Sequence, residues 1–141
     1  MKFETSLGRY VGYLHYILTK ELNELLGEEN ANITADQFRL LTHLWKEDGI
    51  NQQNLAASLN RDRAGVTRMI DILENQSLIK RVDDKEDRRV NRIYLTTAGK
   101  ELESVATKCA QQSLDKMTTG FTEDEKKAFE TLLLKAIQNL K

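Results

Sequence analysis

Five arginines in the middle of this 141-residue chain stand where guanidinium chemistry could matter. Arg61 and Arg63 flank Asp62, Arg68 follows within the same run, and Arg88 and Arg89 are adjacent. A guanidinium carries a permanent charge and a planar fork of donors, which suits phosphate oxygens and base edges. Signs of other chemistry are missing. There is no Ser-His-Asp order, no glycine-rich phosphate loop and no HExxH pattern, so an enzyme is not expected. Two histidines and one cysteine, far apart in sequence, give no metal-ligand spacing, and no cofactor is expected. The single Cys109 cannot make an internal disulfide, which accords with a reducing cytoplasm.

Charge distribution sharpens the arginine signal. Taken whole, 21 basic and 22 acidic residues leave a net charge of −1, which by itself argues against nucleic acid. From Arg61 to Arg92, however, nine basic residues meet seven acidic ones, and seven of the nine are arginine. An arginine-rich centre therefore lies between acidic flanks. The length predicts one domain, no apolar run approaches a membrane span, and the N-terminal residues lack the apolar stretch of a secretory signal. A cytoplasmic protein with no membrane partner is expected.

The elements that must position these arginines are mostly helical. Leu7, Tyr10, Val11, Leu14, Ile17, Leu18, Leu22 and Leu25 recur at helical steps, with Gly27 as the expected stop. Thr34 and Gln37 have capping-box spacing, with Ile33 and Phe38 as a hydrophobic staple, and open a second helix through Trp45. Asn51 caps a short third helix, and Asn60-Arg61-Asp62 is a break. A fourth helix over 63–75 separates into two faces. Val66, Met69, Ile70 and Leu73 are the buried set; Arg63, Ala64, Thr67, Arg68 and Asp71 lie opposite. Small residues among arginines near a helix N-terminus are what entry into a DNA groove requires, since bulky side chains would hold the helix off. Extended runs at 78–82 and 91–95 flank a loop that is all charge apart from Val90 and reads as a hairpin tip. Thr97 is the expected cap of a fifth helix ended by Gly120, and Thr122 with Glu125 opens a sixth. The reading is a mainly α winged helix-turn-helix. Its lobe spans 34–96, with the helix-turn-helix at 51–75 and the wing at 79–95. The long terminal helices, in 1–27 and 97–141, carry apolar stripes too long for one small lobe to cover, so a homodimer with intertwined terminal helices is expected.

These motifs, in this order, resemble the MarR family of transcription regulators. The matching residues are Asn51 to Ala56, Asp62 to Glu74 with its Val66-Thr67-Arg68, Leu78 to Arg81, the wing from Asp83 to Arg89, and the exit Leu95-Thr96-Thr97-Ala98-Gly99. Ser77 departs from the pattern, standing where the family usually has glycine. The resemblance implies a homodimeric, sequence-specific DNA-binding regulator, a repressor on a palindromic operator, released by a small-molecule effector. It places Arg63, Ala64, Thr67 and Arg68 in the major groove and Asn51, Gln52 and Arg61 on phosphates. It places Arg88 in the minor groove, with Arg89 anchoring the wing through Asp71 or Asp87; the two roles are interchangeable on sequence grounds. Tyr10, Tyr13 and Tyr16, at three-residue steps, and Trp45 are open to two uses. One is lining a pocket for a small aromatic or phenolic effector; the other, more ordinary for large aromatics, is dimer packing. Cys109 falls on an apolar stripe and reads as structural. The alternative from another class is a winged-helix protein-interaction module without specific DNA binding; a small-molecule-binding dimer with no DNA role is disfavoured by the arginines.

Overall fold

The computed structural model describes residue 2, residues 6–59 and residues 61–141; Asn60 of the predicted break, and positions 1 and 3–5 of the N-terminal segment, lie outside the described residues. The order of elements is α1 (Leu7–Glu28), α2 (Ala35–Lys46), β1 (Ile50–Asn51), α3 (Gln52–Ser58), α4 (Arg63–Asn75), β2 (Ile79–Asp83), β3 (Asn91–Leu95), α5 (Thr97–Met117) and α6 (Glu123–Leu140). The mainly helical winged helix-turn-helix expected from the sequence is the fold observed.

Local chemistry sets most boundaries. The Thr34–Gln37 capping box is complete: Gln37 N–H donates to Thr34 Oγ1 and Thr34 N–H to Gln37 Oε1, each at 3.1 Å. Thr122 and Glu125 repeat the device at α6. Two ends differ from expectation. α1 runs through Gly27, and its left-handed closing residue is Asn30 (φ 55°). Asn30 N–H reaches the Gly27 carbonyl and Ala31 N–H the Leu26 carbonyl, a paired closure that asparagine enters more readily than most residues. The cap of α5 is Thr96, not Thr97, because Thr96 Oγ1 is the atom that accepts the Gly99 N–H. At the end of α4 the same closure falls on Ser77 (φ 60°), where the sequence lacks the usual glycine.

The core is one cluster. Leu22 and Leu26 of α1, Leu40, Leu41 and Leu44 of α2, Leu55 of α3, and Val66, Ile70 and Leu73 of α4 meet Ile79, Ile93 and Leu95 of the sheet and Ala106 and Cys109 of α5. Three antiparallel strands lie in the order β1-β3-β2, with Ile50 opposite Ile93 and Ile79 opposite Leu95. β1 was not anticipated from the sequence. It is two residues long, and its partner lies about forty residues away, so neither length nor periodicity marks it.

The joint between lobe and α5 is tight. Leu78 O accepts Thr96 N–H, Thr96 Oγ1 donates to Ser77 O at 2.7 Å, and Trp45 Nε1 donates to Gly99 O at 2.9 Å. Gly99 is required by close approach: a Cβ there would stand 2.1 Å from the Leu78 carbonyl oxygen. α6, by contrast, buries none of its residues. Leu132, Leu133, Leu134, Ile137 and Leu140 are exposed, as are Leu7, Tyr10, Val11, Tyr13, Tyr16 and Ile17 of α1.

Candidate nucleic-acid interface

α4 begins where Asp62 turns its carboxylate onto the Gly65 N–H at 2.9 Å. Its buried face is the one the periodicity predicts, with Val66, Ile70 and Leu73 in the core and Met69 packed against it. Arg63, Ala64, Thr67 and Arg68 lie together on the exposed face. Thr67 Oγ1 donates to the Arg63 carbonyl at 2.8 Å, so its hydroxyl keeps acceptor capacity toward solvent.

The arginines divide by their partners. The guanidinium groups of Arg63, Arg68 and Arg88 are exposed and make no hydrogen bond or ion pair among the described residues. Arg61, in the turn before α4, pairs with Asp36 at 3.3 Å, and Asp36 also holds Arg39 at 2.9 Å. Arg89 is bound to Asp87 by its Nε at 3.0 Å and Nη2 at 3.1 Å. Of the two anchors expected for Arg89, Asp87 is the one it uses; Asp71 belongs to Arg81. Asn51 Oδ1 is occupied by the Gln53 and Asn54 N–H groups, and Gln52 Oε1 by Arg81 Nε at 3.3 Å.

The wing loop is fixed by its own carboxylates. Asp84 accepts the Glu86 N–H at 2.8 Å and Arg92 Nε at 2.9 Å, and these bonds hold its carboxyl below the usual range. Asp87 is lowered likewise, first by the Arg89 side chain and then by the Arg89 N–H. Arg92 continues to the Gly49 carbonyl at 3.0 Å, tying the wing to the turn before β1. Two of the loop's four acids, Asp84 and Asp87, thus act as internal ligands, and the Arg88 guanidinium at its tip has no such partner among the described residues.

Sequence reading missed Arg81. Its backbone N–H and Nη1 bind Glu74, at 3.1 and 2.7 Å, and its Nη2 binds Asp71, clamping β2 to α4. The signal was thin: a single arginine in a short strand, with partners seven and ten residues back across a turn. Asp48 was missed too. It accepts Leu95 N–H at 2.8 Å and fixes the base of the wing.

The aromatic residues are not gathered into one site. Tyr13 and Tyr16 stack with centroids 6.5 Å apart, and the Arg9 guanidinium lies 5.8 Å from the Tyr13 centroid. Together with Gly8 and Gly12 they line an open groove on α1. Trp45 is employed elsewhere, against Phe38 and on the Gly99 carbonyl. A second groove of about 370 Å³ lies between α1 and α5, over Leu14, Ile17, Leu18 and Met117, with the Glu21–Lys116 pair at its rim. Cys109 is buried, and burial raises its thiol pKa.

A sequence model of the MarR family matches residues 33–90, which span α2 to the wing tip. An HTH-type transcriptional regulator of Bacillus subtilis, YsmB, is 33% identical over 110 residues, covering 77% of this chain and 75% of the relative. The chain belongs to the MarR family. It is a DNA-binding transcription regulator of the winged helix-turn-helix class. Solved MarR-family structures superpose on nearly its whole length. A MarR transcriptional regulator from Methanosarcina mazei Go1 is 28% identical with a TM-score of 0.84, over 95% of this chain and 96% of that one. A mutant MarR from Escherichia coli, complexed with operator DNA, is 27% identical with a TM-score of 0.83, over 96% and 99%. No described helix is long and apolar enough to cross a membrane.

Proposed function

We propose that this MarR-family chain acts as a homodimeric repressor that reads a palindromic operator. The observation that carries the reading is the sorting of the arginines: the guanidinium groups of Arg63, Arg68 and Arg88 are exposed and unpaired among the described residues, while Arg61, Arg81, Arg89 and Arg92 are engaged with carboxylates. A free guanidinium beside Ala64 and Thr67 on one helix face supports α4 as the major-groove helix, and a free Arg88 at the wing tip supports minor-groove insertion. Asn51, Gln52 and Arg61, with Arg89 anchoring the wing, are the positioning residues on the phosphate backbone.

The homodimer is supported by the uncovered apolar residues of α1 and α6, because an exposed stripe of that extent is costly in water unless a second surface covers it. Reading both half-sites needs the two α4 helices about one DNA turn apart, roughly 34–36 Å. A small aromatic or phenolic effector seated between the terminal helices and the lobes releases the operator if it binds a differently spaced state more tightly. The Tyr13–Tyr16 stack with Arg9 beside it suits an aromatic anion; the same tyrosines suit packing in the dimer.

Selection of the protein against a random duplex pool, followed by the mass of the complex on the enriched duplex, tests this. Enrichment of a palindrome bound by two chains is expected. No enriched sequence, with only weak binding to any duplex, would overturn it and direct the search to a protein partner for the wing.

A further inference from the structure

Arg81 donates four hydrogen bonds through its backbone and guanidinium; one partner, Asp71, sits beside Arg68, and another, Gln52, is itself assigned to the DNA backbone. Its side chain is mostly buried, at 21% exposure, so it is poorly placed to reach a duplex itself. Asp71 stands three residues after Arg68 on the exposed side of α4, the spacing at which a carboxylate and an arginine pair along a helix. Arg81 Nη2 holds Asp71 instead, and Arg68 has no partner among the described residues. Gln52 is the second case. A guanidinium can only donate, so the end of the Gln52 amide that meets Arg81 Nε is the oxygen. The amide nitrogen is then the free end, and it makes no hydrogen bond among the described residues. Gln52 lines a polar cleft of about 190 Å³ between the start of α3 and the wing, shared with Asn51, Arg89 and Asn91. An anion entering that cleft meets amide and guanidinium donors.

We propose that Arg81 is a positioning residue for DNA binding: it keeps Asp71 off Arg68, and it turns the Gln52 amide so that Nε2 donates to a backbone phosphate at the wing cleft. This rests on the DNA-binding reading above. Gln52 and Arg81 then act on affinity through one pathway, so their losses overlap. Without Arg81, Asp71 competes with DNA for Arg68, so neutralising Asp71 recovers affinity only in that background.

The test measures affinity of the full chain for its enriched duplex by fluorescence anisotropy, with thermal unfolding of every variant in parallel. Gln52→Met is expected to weaken binding about tenfold or more, since each copy in the dimer loses one hydrogen bond to a charged group, with unchanged unfolding. Arg81→Met is expected to weaken it more than about tenfold, and adding Gln52→Met to Arg81→Met to cost less than about twofold further. Asp71→Asn is expected to restore about threefold or more to Arg81→Met while changing the wild type less than about twofold, a rescue that a loss of folding alone would not give. Independent, multiplying losses from Gln52→Met and Arg81→Met would overturn the assignment. So would wild-type affinity of Gln52→Met, a result that does not depend on Arg81→Met folding. A wild-type chain that enriches no duplex removes the DNA reading itself, and with it this assignment.

Discussion

Replacing Gly99 by alanine should destabilise the chain, although the same change usually strengthens a helix. Gly99 lies in the first turn of α5, where an added Cβ would stand 2.1 Å from the backbone oxygen of Leu78 and 3.2 Å from a Leu95 methyl. A backbone carbonyl cannot swing away as a flexible side chain can. Separating the two atoms to ordinary contact moves the α5 start by roughly an ångström or more against β2, and overpacking of that kind costs about 1–3 kcal/mol. The same movement strains Thr96 N–H to Leu78 O at 3.0 Å and Trp45 Nε1 to Gly99 O at 2.9 Å, bonds worth about 1 kcal/mol each. Alanine returns up to about 1 kcal/mol of helix propensity. The net expectation is a loss of about 2–4 kcal/mol, a large share of the ~5–15 kcal/mol that holds a domain together. Urea unfolding followed by circular dichroism reads this, at one protein concentration because an assembling chain gains stability with concentration. Gly27→Ala is the control. Gly27 is in the last turn of α1 with nothing within 4 Å of its added Cβ, so there the substitution should stabilise by up to about 1 kcal/mol. If Gly99→Ala also stabilised, or cost less than about 1 kcal/mol, the account of this joint would be wrong.

Other substitutions and conditions carry equally definite expectations. Ser77→Gly should raise the urea midpoint by an amount equivalent to about 0.5–1 kcal/mol, because Ser77 holds φ 60° through backbone bonds that glycine keeps; an unchanged or lowered midpoint would mean the left-handed serine is not strained. Cys109 should resist a thiol reagent at pH 8 in the folded chain and react fully in urea, since burial both hides the sulfur and raises its pKa; equal rates in the two states would contradict the packing. The Asp84 and Asp87 carboxyls are lowered by bonds formed only in the folded loop. Their support of the wing is therefore present above the unfolded carboxyl value, near 3.8, and is lost as pH falls through their lower folded values. Amide exchange at Glu86 and Arg89 should stay protected from pH 7 to pH 5 and open only below about 4; opening near pH 6 would point to another titrating group.

Local signals made much of this molecule legible from residues alone. The Thr34–Gln37 box, the two faces of α4 and the alternation of Ile93 and Leu95 each depend on neighbours within a few positions, and each appears in the structure where the spacing puts it. What stayed hidden depends on partners far along the chain. Ile50 and Asn51 become a strand only because β3 lies beside them. The Trp45 indole is fixed by a carbonyl 54 residues away, so its role at the α5 joint could not be read from its position on α2. The same holds for the arginines. Composition revealed an arginine-rich centre but could not tell Arg81 and Arg92, which hold the wing, from Arg63, Arg68 and Arg88, whose guanidinium groups have no partner among the described residues. That distinction is the substance of the candidate site, and it arises from where the acids Asp71, Glu74, Asp84 and Asp87 fall once the hairpin closes.

The central claim is that the exposed face of α4 reads bases while Arg88 at the wing contributes more general affinity. It is tested most directly by measuring Arg68→Ala and Arg88→Ala on the enriched duplex and on its single-base variants, across a salt series. Arg68→Ala should abolish about 1–3 kcal/mol of discrimination at one position of each half-site. Arg88→Ala should weaken binding across all the duplexes and flatten the salt dependence, by about two in the logarithmic slope for a dimer altered in both copies. Half-site discrimination unchanged by Arg68→Ala would contradict the assignment of α4 as the reading helix.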